Sequence, residues 1–275
     1  MDNQEIVKSL LNKNIKSELY ESSSDSTCVV FENDAFKKIE SKSTFGKGLR
    51  VIDTGKIGFS YCGGEDDARL VQFATDNAKY GTKVDFDFTD NEIKDIKNLY
   101  SKDVMDFPIS EMKNIGNEII ERIKKELPEY RVSTEIEKEE VSVKLINSSG
   151  FNNSFKKSYY IVSFNVVKAK DDKIFFAGDG SATLDLNNNY KYKLEDLIEK
   201  CKRLKTEGSI KSGNYPVIFS PKATRLLYSI LLNGFNGKNV QKGSSALSNK
   251  LGEKIFSENI NIKDIGNLEA GISSV

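Results

Sequence analysis

The side chains that could do chemistry in this 275-residue chain are limited by one feature: it contains no histidine. This removes the usual general base near neutral pH, the commonest zinc ligand and the centre of Ser-His-Asp and Cys-His arrangements. Hydrolysis by this chain would need carboxylates, lysine or residues supplied by a partner. We therefore predict no catalytic residue, no metal site and no cofactor in this chain.

The cysteines and the charge balance exclude further classes of function. Cys28, Cys62 and Cys201 are odd in number and form no CxxC pair, which suits packed thiols in a reducing compartment. Lys plus Arg and Asp plus Glu are equal at 41 each, so no net field attracts nucleic acid or an anionic membrane. The chain has no basic leader and no apolar run near the roughly 18 residues that a membrane span needs. We predict a soluble, cytoplasmic protein without direct nucleic-acid or membrane binding.

Two short motifs resemble ligand sites but have simpler interpretations. Gly178-Asp179-Gly180 lacks the surroundings of a phosphate loop, and we interpret it as a hairpin turn. Asp66 and Asp67 stand near the start of a predicted helix, where carboxylates cap the helix and favour its dipole. We predict that neither motif is catalytic.

An acidic run and a lysine-serine motif complete the candidates. The run of Glu135, Glu137, Glu139 and Glu140 is interpreted as a solvated strand edge that discourages edge pairing. The motif Lys242-Gly243-Ser244-Ser245 could belong to a serine-lysine hydrolase, but it lacks a typical spacing, and we do not assign it that role.

The elements that would position these residues indicate an α+β fold. A helix is predicted over 5–13 and another from 66 to Gly81. Between them the pattern predicts strands over 17–22, 27–32, 36–42, 49–54 and 57–62. The sequence SSSDS at 22–26 is interpreted as a turn, and Thr54-Gly55 as another.

The second half of the chain also contains both predicted helices and predicted strands. Helices are predicted over 110–127, 194–204 and 220–231, the last with Ser220 at its N-cap. Strands are predicted over 130–136, 141–147, 159–168, 173–177 and 215–219. We divide the chain into an N-terminal α+β subdomain (1–90), a linker (91–108), a second α+β subdomain (109–212) and the start of a β-rich C-terminal domain (213–275).

Three passages of the sequence carry a family resemblance. The first is Phe45–Gly81, glycine-punctuated strands followed by a helix, and the second is Asn147-Ser148-Ser149-Gly150 before a strand. The third is Pro216–Lys263, with a strand, a helix, Lys242-Gly243-Ser244-Ser245 and LGEKIFSENINIKD. In order, these passages resemble the TldD/PmbA family, which is also described as modulators of DNA gyrase and is understood as a two-subunit metallopeptidase system.

The resemblance also indicates which of the two kinds of family member this chain is similar to. TldD-like members carry HExxxH in the helix of the third segment, where the imidazoles hold zinc and the glutamate activates water. The matching positions here are Tyr228, Ser229 and Asn233. The chain is thus similar to TldE/PmbA members, which pair with a TldD-like subunit, and zinc is expected only in that partner.

This resemblance implies a non-catalytic subunit of a zinc metallopeptidase that acts on peptides or unfolded polypeptides. Its partner would be a TldD-like subunit or a second copy of the chain. Family members continue into a β-rich C-terminal region, so we interpret the chain as a shortened member or a fragment. Two alternatives stay open: a stand-alone truncated peptide-binding or regulatory module, and an enzyme with a non-zinc mechanism.

Overall fold

The computed structural model describes residues 2–64, 66–90, 97–170, 173–204 and 208–274, without the side chain of Lys170. The chain divides into two compact units. Unit 1 comprises Met1–Thr206 and Ile265–Val275, and unit 2 comprises Glu207–Asp264. None of the helices in the described ranges combines the length and apolar composition that crossing a bilayer requires.

Unit 1 is an antiparallel sheet with helices, and it confirms the predicted α+β class. Its helices are α1 (Asn3–Leu11), α2 (Asp67–Tyr80), α3 (Lys102–Asp106), α4 (Ile109–Glu126) and α5 (Asn189–Arg203). Its strands are β1 (Lys16–Glu32), β2 (Ala35–Asp53), β3 (Lys56–Cys62), β4 (Arg131–Asn147), β5 (Asn152–Lys170) and β6 (Lys173–Thr183). The strand order in the six-stranded sheet is β3-β2-β1-β4-β5-β6.

The four central strands are longer than the sequence predicted. β1 and β4 have 17 residues each, and β2 and β5 have 19. The turn predicted over Ser22–Ser26 is wrong, and so are the breaks predicted inside β2 and β4. The reason is tertiary: the Ser22–Ser26 segment pairs with β2 on one side and with β4 on the other. The neighbouring strands satisfy its backbone, which overrides the local turn preference of serine and aspartate.

Tight turns join the first strands. Asn33 and Asp34 between β1 and β2 have φ of 52° and 70°, and Thr54 and Gly55 between β2 and β3 have φ of 48° and 74°. Positive φ at both residues is typical of two-residue hairpin turns, so the predicted Thr54-Gly55 turn is confirmed. The Asp34 carboxylate also accepts a hydrogen bond from the Val132 amide at 2.8 Å, which ties the first hairpin to β4.

The helices of unit 1 form two separate cores on one face of the sheet. Leu19 belongs to a cluster with residues of α1 and α2, whereas Val29 and Phe31 belong to a cluster with α3, α4 and α5. These three residues of β1 are at odd positions, and side chains alternate along a strand, so they share a face. Each helix group therefore covers one end of the long strands.

Two motif interpretations are corrected by the sheet. Glu135, Glu137, Glu139 and Glu140 lie in β4, which is flanked by β1 and β5, so they do not form a strand edge. The Gly178–Gly180 segment is not a turn: it lies inside β6 and pairs with residues of β5. A Cβ atom on Gly178 would lie 2.1 Å from the Asn165 side-chain oxygen, so the close approach of neighbouring groups accounts for this glycine.

Both predicted N-terminal subdomains contribute strands to this one sheet. β1, β2 and β3 fall within 1–90, and β4, β5 and β6 fall within 109–212. Residues 91–96 of the predicted linker lie outside the described residues, and α3 occupies part of the remainder. The domain boundaries given above stay a prediction.

Unit 2 contains two helices among its described residues, α6 (Thr224–Phe235) and α7 (Gly237–Gln241). The strand predicted over 215–219 is wrong, because these residues adopt no regular structure. The helix after it begins three residues later than predicted, with Ala223 and not Ser220 at its N-cap. Ser220 instead forms the preceding turn, where its carbonyl accepts a hydrogen bond from the Thr224 amide at 2.9 Å.

Candidate functional site

The positions matched to the zinc motif lie on α6 in unit 2. This helix follows from the apolar spacing of Leu226, Leu227, Ile230 and Leu231 on one side. None of its residues is buried, and Tyr228 is 45% exposed. Tyr228, Ser229 and Asn233 are therefore on a solvent-facing helix, and the amino-acid types at these positions decide what the helix can do.

Two of these three residues have structural hydrogen bonds. The Ser229 hydroxyl donates to the Leu226 carbonyl at 2.8 Å within the helix. The Asn233 carbonyl accepts a hydrogen bond from the Asn239 side-chain amide at 3.1 Å, which links α6 to α7. A phenol, a hydroxyl and a carboxamide replace the two imidazoles and the carboxylate of the motif, so these positions supply no general base and no typical zinc ligand.

The serines of the Lys242–Ser245 motif are likewise held in local structure. The Ser245 hydroxyl donates to the Gly234 carbonyl at 2.6 Å and accepts from the Leu247 amide at 3.0 Å. The Ser244 hydroxyl donates to the Asn239 carbonyl at 3.2 Å. These bonds fold the segment back onto the end of α6, and none of them connects a serine to a base. These serines therefore hold the loop in place at the end of α6.

Asp66 and Asp67 differ in role. The Asp66 carboxylate accepts from the Arg69 amide at 3.1 Å and caps α2, as the sequence predicted. Asp67 is buried and forms an ion pair at 2.9 Å with Lys47 of β2, which is also buried. Burial is the largest single effect on the pKa of Asp67 and would raise it, but the hydrogen bond and positive charge of Lys47, together with other favourable interactions, outweigh burial and the pKa is lowered. This pair joins α2 to the sheet.

The described residues offer no alternative metal centre. Within these parts of the chain no group of three or more Cys, Asp or Glu side chains is placed to hold a metal ion. The Cys28 thiol lies beside Glu137, and burial together with the carboxylates of Glu137, Glu135 and Glu40 raises its pKa to about 12. A thiol that stays protonated at neutral pH is a poor nucleophile and a poor metal ligand.

Two segments of the chain match models of known protein domains. Residues 17–78 match the family model described as PmbA/TldA metallopeptidase domain 1, and residues 212–275 match the PmbA/TldA metallopeptidase C-terminal domain. The chain belongs to the TldD/PmbA family. An uncharacterized protein of Methanocaldococcus jannaschii is 26% identical over 282 residues, which is all of this chain and 64% of that protein.

Solved structures of family members share the fold. A proposed modulator of a DNA gyrase from Thermotoga maritima matches 99% of this chain and 64% of its own, with a TM-score of 0.84 and 18% identity. TldE from Thermococcus kodakarensis matches 93% of this chain and 60% of its own, with a TM-score of 0.80 and 18% identity. The chain thus spans less than two thirds of the length of these relatives.

Two buried groups in this TldD/PmbA chain were missed by reasoning from the sequence. The partner of Asp67 is 20 residues away in another element, so local spacing gives no sign of the ion pair. Lys157 of β5 is only 3% exposed, although its neighbours in sequence are polar. Its position between Phe155 and Tyr159, in a strand with an alternating pattern, is the one signal that it could point away from solvent.

Proposed function

We propose that this chain is a TldE/PmbA-like, non-catalytic subunit of a zinc metallopeptidase that acts on peptides or unfolded polypeptides in the cytoplasm. The observation that carries the proposal is the occupation of the zinc-motif positions by Tyr228, Ser229 and Asn233 in a chain without histidine. The zinc, and the carboxylate that activates water, would belong to a TldD-like partner.

The surface of α6 supports a role in assembly. On the apolar side of this helix, Leu226, Leu227 and Ile230 are 61%, 41% and 61% exposed. Contiguous exposed apolar surface is typical of protein–protein contacts, and its burial would contribute most of the free energy of association. A TldD-like subunit is the proposed occupant, and a second copy of this chain is the other form of assembly.

The test combines association with catalysis. The chain, a TldD-like protein from the same organism and their mixture are compared by mass photometry and by cleavage of an unfolded polypeptide, each with and without chelator. We expect a heteromer whose chelator-sensitive cleavage exceeds that of the TldD-like protein alone.

Variants distinguish an auxiliary subunit from a second catalytic one. Replacing the zinc ligands of the TldD-like protein should abolish cleavage by the mixture, whereas Ser229→Ala or Tyr228→Ala in this chain should leave it within about twofold, because a surface substitution costs less than about 0.5 kcal/mol. A large loss with Ser229→Ala, or a mixture that neither associates nor gains activity, would overturn the proposal.

A further inference from the structure

Lys157 is a buried lysine without a counter-ion in the described structure. Its side chain lies on the sheet face opposite to the one that carries Tyr160 and Val162, because side chains alternate along β5. Its ammonium contacts the Ile272 carbonyl at 3.3 Å and the Phe155 ring, whose centroid is 5.5 Å away. Among the described residues no carboxylate forms an ion pair with it. Burying an ammonium group costs free energy unless an anion pairs with its charge.

Tyr159 adds a second donor at the same point. Its hydroxyl donates to the same Ile272 carbonyl oxygen at 3.4 Å. Burial, with a smaller effect from the Glu139 carboxylate, raises the pKa of Tyr159, so its phenol stays a hydrogen-bond donor at neutral pH. A cationic and a neutral donor therefore converge on one oxygen atom. Charge-assisted hydrogen bonds favour a carboxylate oxygen over a peptide carbonyl at such a point.

The segment that supplies this carbonyl leaves its apolar side chains largely exposed. In residues 265–274 the apolar side chains of Ile265, Leu268 and Ile272 are 49%, 54% and 42% exposed. Its other hydrogen bonds to the rest of unit 1 join it to the connection before α3: the Ala270 amide donates to the Lys97 carbonyl at 3.2 Å, and the Asn98 side-chain amide donates to the Glu269 carboxylate at 2.7 Å. With so little apolar burial, a ligand that binds the two donors more strongly can displace the segment.

We propose that Lys157 and Tyr159 form a binding site for a carboxylate, which the Ile272 carbonyl occupies in the free protein. The ligand class is a carboxylate-bearing molecule: either a polypeptide, through its terminal or side-chain carboxylate, or a small free acid. Binding replaces the Ile272 oxygen with a carboxylate oxygen and releases residues 265–274 from the sheet. Burial lowers the pKa of Lys157, and a bound anion would raise it again by favouring the charged form.

The carboxylate site can be tested on the purified chain alone. A negative result would therefore leave the proposed peptidase role unaffected. Isothermal titration would use three probes: tetra-alanine with a free C-terminus, the same peptide with an amidated C-terminus, and sodium acetate. We expect the free-acid peptide to bind and the amidated peptide not to bind. Acetate binding as strongly as the free-acid peptide would assign the site to small acids, whereas weak acetate binding would assign it to polypeptides.

Variants test the residues. Lys157→Met should weaken binding by about tenfold or more, since a hydrogen bond to a charged group contributes about 1.5 to 3 kcal/mol. Tyr159→Phe should weaken it by about threefold to tenfold. Glu139→Gln should strengthen it by a few fold, because Glu139 lies opposite Tyr159 in the sheet and repels an anion. Lys156→Met is the matched control, since Lys156 is exposed and pairs with Glu140 at 2.8 Å.

Two further measurements test the folding of the variant and the release of the segment. Lys157→Met should be folded and at least as stable as the natural chain, because it removes a buried charge without a counter-ion. Hydrogen exchange in residues 270–274 should rise when the free-acid peptide saturates the chain. The proposal is overturned if neither carboxylate probe binds, if folded Lys157→Met binds as well as the natural chain, or if saturation leaves this exchange unchanged.

Discussion

α4 in unit 1 and α6 in unit 2 carry similar amphipathic patterns, yet they differ completely in burial. In α4, Met112, Ile119 and Ile123 are at most 1% exposed, because they pack against β1, β4 and β5. In α6 no residue is buried. Apolar periodicity thus predicts a helix but not the surface that will cover it. We infer that α4 stabilises the chain itself, whereas the apolar face of α6 contributes to an assembly.

The largest expected difference between the two helices is in the cost of removing an isoleucine. Ile119→Ala should lower the free energy of unfolding by about 2 to 5 kcal/mol, because it leaves a cavity in the core. Ile230, 61% exposed, is the matched position in α6, and Ile230→Ala should cost less than about 1 kcal/mol. Urea denaturation followed by circular dichroism measures both. Equal losses would show that α6 is packed in the isolated chain.

A helical glycine sharpens the same contrast. A Cβ atom on Gly116 of α4 would lie 2.1 Å from the Phe31 ring, so Gly116→Ala should destabilise by about 1 to 3 kcal/mol despite the better helix propensity of alanine. Gly237 of α7 has no atom within 4 Å of that position. Gly237→Ala should therefore be neutral or slightly stabilising in the same denaturation assay. A neutral Gly116→Ala would contradict the close packing of α4 on β1.

The buried ion pair between Asp67 and Lys47 should make the stability of unit 1 depend on pH, an effect that the exposed ion pairs of unit 2 should lack. Because the pKa of Asp67 is lowered on folding, the ion pair contributes stability above the unfolded-state value of about 3.9, and this is lost as pH falls through the folded-state pKa. Asp67→Asn should cost about 1 to 3 kcal/mol at pH 7 and less at pH 3, where protonation of Asp67 in the unfolded chain has removed part of the contribution.

The control for that experiment lies in unit 2. Lys250 and Glu253 form an ion pair at 2.8 Å, but their side chains are 46% and 53% exposed. Glu253→Gln should change stability by less than about 0.5 kcal/mol at either pH. A loss at pH 7 that persists unchanged at pH 3 for Asp67→Asn would show that packing, and not the charge of Asp67, explains its effect.

The smallest effects are expected at the motif positions themselves. Tyr228→Ala and Ser229→Ala should each change the free energy of unfolding by less than about 0.5 kcal/mol, since these side chains are exposed. The same denaturation assay measures this, and Asn233→Ala serves as the third member of the set. A cost above about 2 kcal/mol would show that one of these residues is part of a packed structure.

The sequence predicted the helices better than the strands, for a physical reason. The helical spacing of the isoleucines in α4 is a local pattern, so the extent of α4 was predicted to within a residue or two. The continuity of β1 was not, because Ser22–Ser26 is held in the sheet by pairing with β2 and β4, which lie elsewhere in the chain. The motif positions could be named through the family resemblance. The burial of Lys157 could not, because it depends on a segment 115 residues away.

In the proposed assembly, catalysis depends on zinc held by the partner and not by this chain. The most direct measurement is zinc content, by mass spectrometry of metals, alongside chelator-sensitive polypeptide cleavage for the chain, a TldD-like partner and their complex. We predict that the complex contains the zinc of the partner and no more, and that the isolated chain holds no stoichiometric zinc and cleaves nothing. Stoichiometric zinc in the isolated chain, or chelator-sensitive cleavage by it, would contradict the assignment of this chain as the non-catalytic subunit.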